Sequence, residues 1–157
     1  MNDYGDTEIT DEDRTNEVGL FNTAESYWKS AGALYEAQVK TSHPLSPVRF
    51  LYYHAIELYL KAFLRGNGHS AKELRSNKFG HRICCLADRA AALGLPFVDE
   101  DKKVFSMMGT TDALIRSRYI QTGAVNWPAP EALDRACRSL RESIANDLKR
   151  KGHVIWL

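Results

Sequence analysis

The sequence predicts an all-α fold, an antiparallel bundle of about five helices, on three observations. Apolar residues recur at three- and four-residue spacing, Gly and Pro punctuate the gaps between these stretches, and no alternating runs face each other across a hairpin turn. At 157 residues the chain has the length of one domain, enough to bury a core without disulfides or metal.

The elements follow in order. Asn22 stands as N-cap of a first long helix with Glu25 three positions on, and Ala24, Tyr27, Trp28, Ala31, Leu34, Tyr35 and Val39 then recur at helical spacing. Pro44 and Pro47 stop it, and Ser46 followed by Pro47 predicts the restart of a second helix running to about Arg65, ahead of Gly66 and Gly68. Apolar residues cover most of its circumference, with Leu51, Ala55, Leu58, Tyr59 and Ala62 expected in the core, so it is the central helix. His54, Glu57, Lys61 and Arg65, spaced three, four and four, form its polar stripe. A short turn is expected around Ser70 to Arg75. A third long helix carries Ile83, Leu86, Ala90 and Leu93 on one face and closes at Gly94, before Pro96. Asp99, Glu100 and Asp101 suit the positive end of a fourth, with Val104, Met108, Thr111 and Ile115 in register to about Tyr119. After a loop from Thr122 to Pro130, a fifth helix sets Leu133, Cys137, Leu140, Ile144 and Leu148 inward. Arg135, Arg138 and Arg141 lie on another face, a solvated row or one that tracks phosphates. The apolar tail from His153 to Leu157 is too short for a helix and is expected to dock on the bundle or on a second subunit.

Composition excludes several classes. No apolar run reaches the roughly eighteen residues that span a bilayer, and no basic-then-apolar leader opens the chain, which predicts a cytoplasmic protein and no membrane. The three cysteines form no framework; Cys84 and Cys85 are adjacent, lack a CxxC partner, and read as small core residues. Glycine-rich phosphate loops, HExxH and GxSxG are absent, so neither metal nor cofactor is predicted. The net charge of +1 is uneven: residues 1 to 17 hold seven acids against Arg14, which is −6 and leaves +7 for the rest. Such a segment buries too little to offset its ordering entropy, which predicts an acidic mobile arm over residues 1–20 ahead of a bundle over 21–157. The arm reads as a solubilising tail or as a screen for the basic surface of its own domain.

Three segments, FLYYHAIELYLKAFL at 50–64, FGHRICCLADRAAALGL at 79–95 and IRSRYIQTG at 115–123, resemble HEPN proteins in their order and spacing. The resemblance implies a helical bundle, a homodimer, and either a metal-independent ribonuclease or a relative that binds RNA or nucleotide without catalysis. Catalytic HEPN proteins carry an Arg followed by a His near the start of a late helix. Here Arg116 and Arg118 have no His after them until His153, a departure that leaves the status as an enzyme open. Arg49 to His54 and Arg75 to His81 have a fitting separation, but Arg49 and His54 lie about 140° apart on one helix.

On this resemblance the candidate catalytic residues are His81, Arg116 and Arg118, with Glu57, Lys61, His54 and Tyr119 placed to bind substrate. The chemistry needs a His to exchange a proton with the ribose hydroxyl and an Arg to offset the phosphorane charge. Structural roles compete: His81 as cap of the third long helix, and Glu57 as partner of His54, of Lys61 or of an arginine on the fourth, Arg118 foremost. The expected function is RNA or nucleotide binding by an endoribonuclease-like protein. The alternative is a non-catalytic dimeric interaction module of a defence or toxin-antitoxin system, with a protein partner from that system. A bound phosphate near Arg116, Arg118 and His81 would favour the first, and a cleft filled by Glu57 paired with an arginine the second.

Overall fold

The computed structural model describes residues 10–116 and 123–156, and among them there is no strand. Two short and five long helices follow one another: α1 (Asp11–Arg14), α2 (Glu17–Ala37), α3 (Leu45–Gly66), α4 (Ala71–Arg75), α5 (Ile83–Ala92), α6 (Asp99–Arg116) and α7 (Pro130–Arg150). α3 is the axis of the bundle. Its buried residues, among them Tyr52, Tyr53, Ile56, Tyr59, Leu60 and Leu64, point around the helix, so α2, α5, α6 and α7 all pack against it. Ala55, Tyr59 and Ala62 are in the core as expected, whereas Leu51 and Leu58 are only half-buried because Tyr52 and Ile56 take the inward positions. On α7 the predicted row Leu133, Cys137, Leu140, Ile144 and Leu148 is buried throughout.

The helix starts differ from the sequence reading where a competing cap exists. α2 begins at Glu17 and not after Asn22, because the Asn16 side chain accepts from the Gly19 amide at 2.7 Å and Phe21 is already buried. α3 begins at Leu45 with no side-chain cap; Pro47 falls within its first turn, where its missing N–H costs nothing. The boundary expected at residue 20 therefore lies inside α2. Residues 1–9 of the predicted arm are outside the described residues. From Glu12 onward the chain is held: its carboxylate accepts from the Ala71 amide at 2.5 Å and the Lys72 amide at 3.2 Å, so the arm caps α4. Arg65 secures the same junction, donating to the carbonyls of Thr15 at 2.9 Å and His69 at 3.3 Å.

α5 and α6 approach closely. A Cβ at Gly109 would come within 2.7 Å of Cys84 Sγ, so this crossing requires glycine. Cys84 consequently lies exposed in the α5–α6 groove and Cys85 is half-buried, against the expectation that both are core; Ile83, Leu86, Ala87 and Ala90 occupy the inward face. The C-terminal segment docks on its own bundle through buried Ile155, and His153 meets Glu17 at 2.9 Å, while Trp156 stays 89% exposed. Among the described residues no helix is long and apolar enough to cross a membrane.

Candidate functional site

Glu57 sits in the middle of α3 and is 1% exposed. A buried carboxylate must be compensated, and three elements supply the compensation. Lys61, one turn along α3, donates to Oε1 at 2.8 Å. His81, in the turn before α5, places Nδ1 at 2.9 and 3.0 Å from the two oxygens. Arg116, at the end of α6, donates from a terminal nitrogen to Oε2 at 2.7 Å, and its Nε donates to Asp112 at 2.9 Å. Burial pushes the Glu57 pKa up, but Lys61 and His81 outweigh it and hold the group below the ordinary carboxylate range, so it is ionised at neutral pH.

An ionised carboxylate only accepts, so Nδ1 of His81 carries a proton and the tautomer is fixed. His81 is 59% exposed in its side chain, which leaves the Nε2 edge toward solvent. It caps nothing: α5 starts at Ile83, with Arg82 at the N-cap and no side-chain cap. An imidazole oriented by a buried carboxylate, with its second nitrogen at the surface, is suited to exchange a proton with a bound molecule.

Two features frame this group. His54, one turn before Glu57, is half-buried between the Tyr27 ring, edge-on at 4.4 Å, and the Phe50 ring, parallel within 9° at 6.3 Å. Its Nδ1 is buried without a partner, and burial lowers its pKa, so it is neutral at neutral pH. The Arg116 guanidinium lies 5.9 Å from the Phe50 ring centre. The second feature is charge. Lys61 and Arg116 are balanced by Glu57 and Asp112, so the four together attract no anion. The segment leading to His81, however, exposes Lys72, Arg75, Lys78 and Arg82 against Glu73 of the same segment and the Glu12 carboxylate at the start of α4, and is net basic.

The structure thus brings together Glu57, Lys61, His81 and Arg116, with His54 adjoining. Arg118 and Tyr119 lie outside the described residues. The expected pairing of Arg118 with Glu57 falls with them, and Arg116 is an arginine that meets Glu57. Arg65 leaves the stripe for the α1–α4 junction, and Arg49 turns to the Pro128 carbonyl and the Trp127 ring. The row on α7 divides: Arg135 is exposed, Arg138 pairs with Asp134, and Arg141 turns inward to Glu25 at 2.8 Å. Asp112 and Phe50 were missed, although each has a sequence signal, four residues from Arg116 and from His54 respectively. Among the described residues no group of three or more His, Cys, Asp or Glu could hold a metal ion. Comparison with protein-family models, with curated proteins and with solved structures finds no match.

Proposed function

We propose that this chain binds RNA or a nucleotide at the Glu57 cluster and acts on it as a metal-independent endoribonuclease, with His81 as the proton-transfer group. The observation that carries the reading is the buried carboxylate of Glu57 holding Nδ1 of His81, whose side chain is more than half exposed at the end of a net basic segment. The three HEPN-like segments contribute Glu57, His81 and Arg116 to this one cluster, which supports the same reading. In it, Nε2 of His81 takes the proton of a ribose hydroxyl or returns one to the leaving oxygen. Lys61 and Arg116, which share Glu57 with His81, would offset charge only as it develops on the phosphate. Because the inner charges cancel, attraction of the phosphate rests on the basic segment leading to His81.

A second reading, a non-catalytic dimeric interaction module of a defence or toxin-antitoxin system, is favoured by one observation. Two of the five N–H donors of Arg116 are already committed to Asp112 and Glu57, as in a purely architectural arginine. Incubating purified protein with total RNA in excess chelator separates the two. Cleavage or binding that is lost in His81→Gln and weakened in a Lys78→Gln/Arg82→Gln variant, with a flatter salt dependence, supports the first. Neither cleavage nor binding, together with a dimer by light scattering, supports the second.

A further inference from the structure

Phe50 is an exposed aromatic ring on the same face of α3 as the charged cluster, and the core makes no use of it: it is 39% exposed, while Tyr52, Tyr53 and Tyr59 on the same helix are buried. Phe50, His54, Glu57 and Lys61 stand at intervals of four, three and four residues, one continuous stripe. Along the axis Phe50 lies about 6 Å from His54 and about 10 Å from Glu57, at 1.5 Å per residue. Its ring is held in place: the His54 ring runs parallel to it within 9°, Tyr27 closes the far side of His54, and the Arg116 guanidinium approaches its centre to 5.9 Å. The Arg116 guanidinium therefore links the two, lying over the Phe50 ring at cation–π range while it donates to Glu57.

We propose that Phe50 is a stacking platform for a nucleobase, so that the molecule taken by the Glu57 cluster is an unpaired nucleotide whose phosphate lies toward His81 and whose base lies on Phe50. The proposal rests on the nucleotide-binding reading above and names its substrate class. A flat ring offered beside cations is what a single-stranded nucleic acid requires, because every base has a π-face and stacking tolerates sequence. A base in a duplex is already stacked and cannot reach such a ring. The neutral His54 behind Phe50 extends the platform without adding charge, and Arg116 faces both the base and the phosphate it carries.

The test is calorimetric titration of the full chain with adenosine 5′-monophosphate and with ribose 5-phosphate, which share the phosphate and differ in the base. The platform predicts tighter binding of the nucleotide by roughly tenfold, a loss of that advantage in Phe50→Ala, and its retention in Phe50→Trp. Phe50 is exposed, so both variants fold, which their melting curves check. Equal affinity for the two ligands, unchanged in Phe50→Ala, would overturn the platform and leave the phosphate site standing. Failure of both ligands to bind would overturn the platform together with the function it rests on. A change in sedimentation between wild type and Phe50→Ala, with nucleotide affinity unaltered, would also overturn it and make this ring a contact between copies of the chain.

Discussion

Glu25 on α2 and Glu57 on α3 are assembled from matching parts. Each has a lysine one turn on, Lys29 at 3.7 Å or Lys61 at 2.8 Å, and each receives an arginine from a later helix, Arg141 or Arg116. The third partner differs. Glu25 accepts from the Tyr59 hydroxyl, which is fully buried, and burial followed by Glu25 itself drives the pKa of that phenol far up, so it stays protonated at any working pH. Glu57 instead holds a histidine whose second nitrogen faces solvent. A buried ion network is thus no sign of a site on its own, since the Glu25 network ties α2, α3 and α7 together and turns its third partner inward. The Glu57 network ties α3, α6 and the turn before α5 and leaves an imidazole largely exposed.

Substitutions put this contrast to the test. The largest effect is expected from Glu57→Ala, which strands three donors and should cost about 3 to 5 kcal/mol in chemical denaturation; a loss below about 1 kcal/mol would show that the three groups repack without it. The same residue governs the acid limb. Its folded pKa is depressed, so the stability it contributes is present above the unfolded value near 4.5 and is lost as pH falls through the folded value, and Glu57→Gln should flatten that limb. Next come Arg116→Gln and Arg141→Gln, each expected to cost about 2 kcal/mol by removing a charge-assisted hydrogen bond. Only the first should also weaken RNA binding; equal loss of binding in both would erase the distinction between the two networks.

A third carboxylate extends the series. Asp101 is as buried as Glu57, and its pKa is raised, by burial first and against the pull of Ser139 and Arg135. A raised carboxylate contributes stability below the unfolded pKa and loses it as pH rises, so Asp101→Asn should gain about 1 kcal/mol at neutral pH, seen as a higher melting temperature. The smallest effect on folding should come from His81→Gln, under about 1 kcal/mol because Lys61 and Arg116 still compensate Glu57, while activity on RNA disappears. Lost stability with unchanged activity would make His81 a strut like Tyr59.

The helices were legible because apolar spacing and Pro–Gly punctuation are local properties, and the central place of α3 followed from residues that are apolar on nearly every side. The Glu57–Lys61 pair was legible too, since four residues on a helix fix a neighbour. What escaped depends on contacts distant in sequence. Glu25 looked like the second half of a capping box for Asn22, whereas its partners are Tyr59 and Arg141, thirty-four and one hundred and sixteen residues away. Asp101 read as one of three acids favoured by a helix dipole, and nothing nearby in sequence shows that α7 buries it. That Arg116 reaches Glu57 is decided by how α6 lies on α3, which its neighbours in sequence do not reveal.

The five residues of α4 are too few to hold a helix by themselves, and Glu12 meets the amides at its start from fifty-nine residues away. Order in α4 is therefore borrowed, and the turn carrying His81 follows directly from it. Amide hydrogen exchange should reveal the loan: in Glu12→Gln the amides of Ala71 and Lys72 should exchange faster while those of α3 keep the protection of the global unfolding reaction. The fraction of time that His81 spends against Glu57 would then be set by a local opening equilibrium with its own free energy, adjustable from the acidic end of the chain without touching the cluster itself.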